Sequence, residues 1–84
     1  MNKEATAHEL LRYLATHFVG KGVALGAGTS LFEERLLDSV RLIELIDYVE
    51  KTYSVRVSPM EIVLENFDSV DKITDYLGRK GVLH

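Results

Sequence analysis

Cysteine is absent from the 84 residues, so neither a disulfide framework nor a thiolate zinc site can stabilise a domain this small. No apolar run approaches the length that crosses a bilayer. The stretch from Met1 to His8 lacks the apolar centre of a signal peptide, and the expected location is cytoplasmic. Without cross-links one hydrophobic core must suffice, which favours helices over an elaborate sheet. Basic residues are scarce in the middle of the chain: from Glu33 to Asp75 eleven acidic residues face five basic ones, although the net charge of the whole is only −3. An acidic centre repels phosphate backbones. Nucleic acid is thereby disfavoured as a partner, a helix-turn-helix DNA binder included, and basic protein surfaces are favoured.

What is present is the balance of a soluble globular domain, with 46% hydrophobic and 27% charged residues, read as one domain over 1–84. Ala7, Leu10, Leu11, Leu14 and Phe18 recur at helical steps and predict a first helix from about Glu4 to Val19. Gly20, Gly22, Gly26 and Gly28 then crowd nine residues and stop it. A long loop to about Asp38 follows, a length that is often functional. Leu31, Phe32, Leu36 and Leu37 are expected to pin it to the core.

The segment 38–53 carries the strongest helical signal. Leu42, Leu45, Ile46, Val49 and Tyr53 form its inward stripe, while Val40, Glu44, Asp47 and Lys51 fall on another face that should meet solvent or a partner. Asp38 suits the cap, because its carboxylate accepts first-turn N–H groups and complements the helix dipole. Ser39 then sits at the helix mouth. Ser58-Pro59-Met60-Glu61 has the form of a capping box with proline at the first helical position, predicting a short third helix to about Glu65 that Asn66 and Phe67 end. Asp68 and Ser69 both suit a cap for a last helix in which Val70, Ile73 and Leu77 share a face before Gly78 and Gly81 close it. The architecture expected is all-α, an up-and-down-like bundle of three longer helices and one short third helix.

The run from Ser30 to Ile46, with its Asp38-Ser39 dipeptide, apolar loop anchors and following helical pattern, resembles the acyl and peptidyl carrier protein family. Glu65-Asn66-Phe67-Asp68-Ser69-Val70 looks like that family's approach to its last helix. The resemblance covers nearly the whole chain and implies a four-helix bundle of acyl-carrier-protein type. It further implies a monomer that is not itself an enzyme. A separate phosphopantetheinyl transferase would move 4'-phosphopantetheine from coenzyme A onto Ser39, with Asp38 beside it. A ligase or transferase would load an acyl or aminoacyl group as a thioester, and downstream fatty-acid, polyketide or other biosynthetic enzymes would consume it. Val40, Arg41, Glu44, Asp47 and Lys51 would form the face those partners read. Leu42, Ile43 and Ile46 would line any space for buried cargo. The missing cysteine agrees with a thiol supplied by the arm. A serine at a helix N-terminus also suits the role physically, since the partial positive charge there favours a phosphodiester.

Two departures stand out: Arg35 occupies a position where many members have glycine, and Arg41 one where many have an acidic or neutral residue. Together with Asp47 and Tyr48, they suggest a carrier for a dedicated pathway. The competing reading is a helical protein-interaction module in which Ser39 is merely a cap. Other sites fail on spacing. His8, His17 and His84 show no metal-ligand interval, and the glycines from Gly20 to Gly28 lack the Gly-Lys-Ser/Thr ending of a P-loop. So small a bundle offers the carboxylate pairs Glu33-Glu34 and Asp68 with Asp71 little pocket to tune them for acid–base work, and a solvated acidic face is expected.

Overall fold

A computed structural model describes residues 2–17 and 25–82, all of whose regular elements are helical. Helix α1 spans Lys3–His17. Asn2 begins it, its side-chain oxygen accepting the Ala5 N–H at 2.7 Å. Leu10 and Leu14 are fully buried, as the periodicity predicts. Phe18, Val19, Gly20 and Gly22 lie outside the described residues. The helix packs on the last helix, where Lys3 Nζ meets Asp75 Oδ1 at 2.8 Å, and on the second through Tyr13, whose ring stacks on Tyr48 at 3.7 Å and 14°.

Helix α2 spans Ser39–Tyr53, with Leu45, Ile46, Val49 and Tyr53 buried; Leu42, expected in the same stripe, is only half-buried. Ser54 ends the helix in the left-handed conformation at φ 53°, its N–H returning to the Glu50 carbonyl. Glu50 also accepts the Val57 N–H at 2.9 Å and so holds the connector against α2.

The predicted third helix divides in two. Its capping box forms, with Ser58 N donating to Glu61 Oε1 at 3.0 Å, but it starts only a 3-10 turn, Pro59–Glu61. Val63 is extended, at the second of two adjacent β-branched residues, and a separate α3 covers Leu64–Phe67. Asn66 and Phe67 therefore belong to a helix rather than ending one. The break turns Phe67 fully into the core against Tyr76, ring centroids 5.1 Å apart.

Helix α4, Val70–Arg79, is capped by Ser69, whose hydroxyl accepts the Lys72 N–H. Asp68, the alternative cap, has another task described below. Val70, Ile73 and Leu77 are fully buried. The helix runs through Gly78 and is closed by Gly81 at φ 79°.

Glu61 joins the 3-10 turn to α4. Besides Ser58 N, its carboxylate accepts the Tyr76 hydroxyl at 3.0 Å and Lys80 Nζ at 3.1 Å. The Ser58 N–H and the Lys80 ammonium hold its pKa down to about 2 from an ordinary 4.5. A depressed carboxyl contributes stability that is complete above its unfolded pKa and lost as pH falls through its folded one. The midpoint of urea unfolding should therefore decline as pH drops from about 4.5 towards 2. Glu61→Gln should flatten that part of the profile.

Candidate functional site

The loop before α2 decides where the helix mouth sits. Leu31, Leu36 and Leu37 are buried as anchors. Phe32 is not: at 46% exposure it faces water, because Leu31 takes the inward position and the turn carries its neighbour outward. The turn closes on itself through Glu34 N to the Ser30 carbonyl and Arg35 N to the Phe32 carbonyl, and through Leu36 N and Leu37 N to the Leu31 carbonyl. Arg35 lies within it at φ 58°, the left-handed region that costs a side-chain-bearing residue about 1–2 kcal/mol and glycine nothing. Glycine's greater freedom in the unfolded chain offsets part of that. Arg35→Gly should accordingly stabilise the protein by about 0.5–1 kcal/mol, read as a higher urea midpoint.

A second set of bonds ties the loop to the far end of the chain. Asp68 Oδ2 accepts the Ser30 hydroxyl at 2.7 Å, Oδ1 accepts the Phe32 N–H at 2.9 Å, and the Asp68 carbonyl accepts the Leu31 N–H at 2.7 Å. Ala27 adds a bond from Asp71 N at 2.9 Å. Sequence reading made Asp68 a candidate cap; it is a clamp, and the signal for it lies in residues 36 to 38 positions away.

From this clamped loop the chain passes through Leu37 into Asp38 and Ser39. Asp38 is the N-cap, Oδ1 accepting the Arg41 N–H at 2.8 Å while its carbonyl accepts the Leu42 N–H. Ser39 is the first helical residue and is exposed. Capping rests on Asp38, so the Ser39 hydroxyl is not spent on it. An exposed hydroxyl at the positive end of a fifteen-residue helix fits a phosphodiester: the oxygen is reachable, and first-turn N–H groups favour the negative charge. Such an arm would supply a thiol that holds cargo as a thioester.

The face beginning at Ser39 is open. Val40 is 66% exposed and Ile43 67%; Glu44, Asp47 and Lys51 are exposed, and Arg41 is half-buried. Lys51 Nζ lies 3.0 Å from Asp47 Oδ2, one turn away. Met60, Val63 and Leu64, around the 3-10 turn and α3, are exposed too, a group that residue-by-residue reading of α2 missed. The expected cargo lining does not come together: Ile43 faces outward while Ile46 is buried. An open cleft of about 300 Å³ lies instead against Glu9, Arg12, Tyr13, Thr16 and Tyr48.

His8 and His17 are exposed, and His84 lies outside the described residues. Among the described residues no cluster could hold a metal ion, and no helix is long and apolar enough to cross a membrane.

A family described as "Phosphopantetheine attachment site" matches residues 6–77. The chain is also similar to a probable acyl carrier protein, PigG, of Serratia sp. (strain ATCC 39006), being 29% identical over 72 residues that cover 84% of this chain and 83% of the relative.

Proposed function

Because the chain belongs to the phosphopantetheine attachment family, a family of carrier proteins whose prosthetic group is covalent 4'-phosphopantetheine, we propose that Ser39 bears the arm and that the protein presents an acyl or aminoacyl group on it to partner enzymes. The carrying observation is the division of labour at the α2 mouth, where Asp38 makes the cap bond and leaves the neighbouring hydroxyl exposed. Catalysis belongs to the enzymes that modify, load and unload the arm. The test is intact mass after incubation with coenzyme A and a broad-specificity phosphopantetheinyl transferase. One phosphopantetheine should be added, and peptide mapping should find it on Ser39; an unmodified chain would sink the reading.

Partners approaching Ser39 pass over Val40, Arg41, Glu44, Asp47 and Lys51, and these residues are the proposed recognition face. Lys51 already pairs with Asp47, although so exposed a pair contributes only about 0.3–0.5 kcal/mol. Glu44 is therefore the carboxylate best placed to meet a basic partner. Arg41 and Lys51 disfavour partners shaped for a uniformly acidic helix, which supports a dedicated pathway rather than general fatty-acid synthesis. Glu44→Lys with Asp47→Lys should slow loading by the cognate enzyme, and added salt should narrow the deficit. Equal initial rates for parent and variant at every ionic strength would remove this face from recognition.

A further inference from the structure

Asp68 stands 29 positions after Ser39 in a different part of the fold, yet three of its bonds govern the segment that delivers that serine. Its own place is fixed from both sides. Its N–H bonds to the Leu64 carbonyl at 2.9 Å as α3 ends, and Ser69 immediately begins α4 as its cap. From there the carboxylate and carbonyl grip Ser30, Leu31 and Phe32 in succession. Ser30 Oγ, while donating to Asp68, also accepts the Glu33 N–H at 3.3 Å. The Leu31 carbonyl receives Leu36 N and Leu37 N at 2.8 and 3.2 Å, and the next two residues are Asp38 and Ser39. No break in this chain of bonds separates the Asp68 carboxylate from the α2 mouth.

We propose that Asp68 is a positioning residue for the transfer reaction at Ser39: by clamping residues 30–32 it holds the 30–37 turn, and with it the helix mouth, in the shape that the modifying enzyme binds. This rests on the Ser39 reading above and adds to it a residue on the opposite side of the sequence. The turn's own backbone bonds and buried leucines hold residues 30–37 to one another, and its seat against the corner between α3 and α4 is set from outside. The carboxylate fixes that seat, because two oxygens with fixed separation meet a hydroxyl and an N–H that are two residues apart. Once the clamp is cut, only a fraction of molecules presents the competent shape. Apparent affinity falls in proportion to that fraction, while turnover from the bound complex is unchanged.

The experiment follows initial rates of phosphopantetheine transfer to the full chain against carrier concentration, for the parent, Asp68→Ala, Asp68→Asn, Ser30→Ala and the double variant with alanine at both positions. Asp68→Ala should raise KM about tenfold with kcat within about twofold. Asp68→Asn, which keeps one acceptor oxygen, should lie between it and the parent. Ser30→Ala should show a smaller rise of the same kind, and in the double variant the two effects should be less than additive, since the Ser30–Asp68 bond is lost in both single variants. Tyr76→Phe, which removes a hydroxyl bonded to Glu61, serves as the control for lost stability.

The proposal is overturned if KM is unchanged in Asp68→Ala, or if Tyr76→Phe raises it equally at a matched loss of thermal stability; in both cases a modified parent leaves the Ser39 assignment standing. Should Asp68→Ala fail to fold, Ser30→Ala decides alone: a raised KM supports the clamp, an unchanged one ends it. An unmodified parent would instead refute the Ser39 reading on which the proposal stands.

Discussion

Ser39→Ala is expected to abolish phosphopantetheine transfer completely while leaving the helices intact. The loss is total because the hydroxyl oxygen is the atom to which the arm would be joined, and Ser39 is the one hydroxyl-bearing residue from Leu36 to Leu42. The fold survives because the cap belongs to Asp38, whose carboxylate holds the Arg41 N–H at 2.8 Å. Alanine at the exposed first helical position is well tolerated, and the change in stability should stay within about 0.5 kcal/mol. Asp38→Ala makes the contrast: it removes the cap bond, costs about 1 kcal/mol, and keeps the hydroxyl. Intact mass and helical circular dichroism read both quantities in one preparation. Transfer to the alanine variant at the parent rate would falsify the assignment of Ser39, and a collapse of helicity on that substitution would return the serine to a structural role.

The largest stability effect should come from Phe67→Ala. Phe67 is fully buried, closes α3 and meets the Tyr76 ring at a centroid distance of 5.1 Å. Truncating such a side chain costs about 3–5 kcal/mol through lost burial and the cavity left behind. An 84-residue domain has a total stability of only about 4–12 kcal/mol. The loss therefore takes a large share of that margin, and it should appear as a steep fall in the urea midpoint with unchanged slope. Met60→Ala provides the comparison, since a side chain 89% exposed should change stability by less than about 0.5 kcal/mol. A Phe67→Ala midpoint close to that of Met60→Ala would mean that α3 is not docked as described.

Much of this site was legible in advance because its rules are local. A capping carboxylate acts on an N–H three residues ahead, so Asp38 declares itself within one turn, and the inward stripe of α2 repeats often enough to place Leu45, Ile46 and Val49. The errors share a different cause. Asp68 and Ser69 are both good caps, and local chemistry does not choose between them; the choice falls to Ser69 because Asp68 is engaged by Ser30 and Phe32 from across the fold. Phe32 looked like an anchor by composition, but a turn can seat only one of two adjacent apolar residues, and Leu31 takes the place. The capping box before Pro59 predicts a start that the structure bears out, but a start signal says nothing of the extended Val63 that interrupts the helix. Phe67 reads as a terminator in the sequence because the apolar residues from Ile62 to Phe67 follow no period long enough to reveal which one the core claims.

The aromatic stack between the first two helices gives the protein an optical handle of its own. The chain has no tryptophan and four tyrosines, and three of them are coupled: Tyr13 lies flat on Tyr48, and Tyr48 meets Tyr53 edge to face at 6.4 Å. Near-ultraviolet dichroism depends on fixed tertiary packing, so this signal should be dominated by the seam where α1 meets α2. Nine residues separate Tyr48 from Ser39, about 14 Å along the helix axis, so chemistry at the helix mouth leaves the chromophores untouched. A spectrum recorded before and after loading would thus report whether cargo parts those two helices, with no label added.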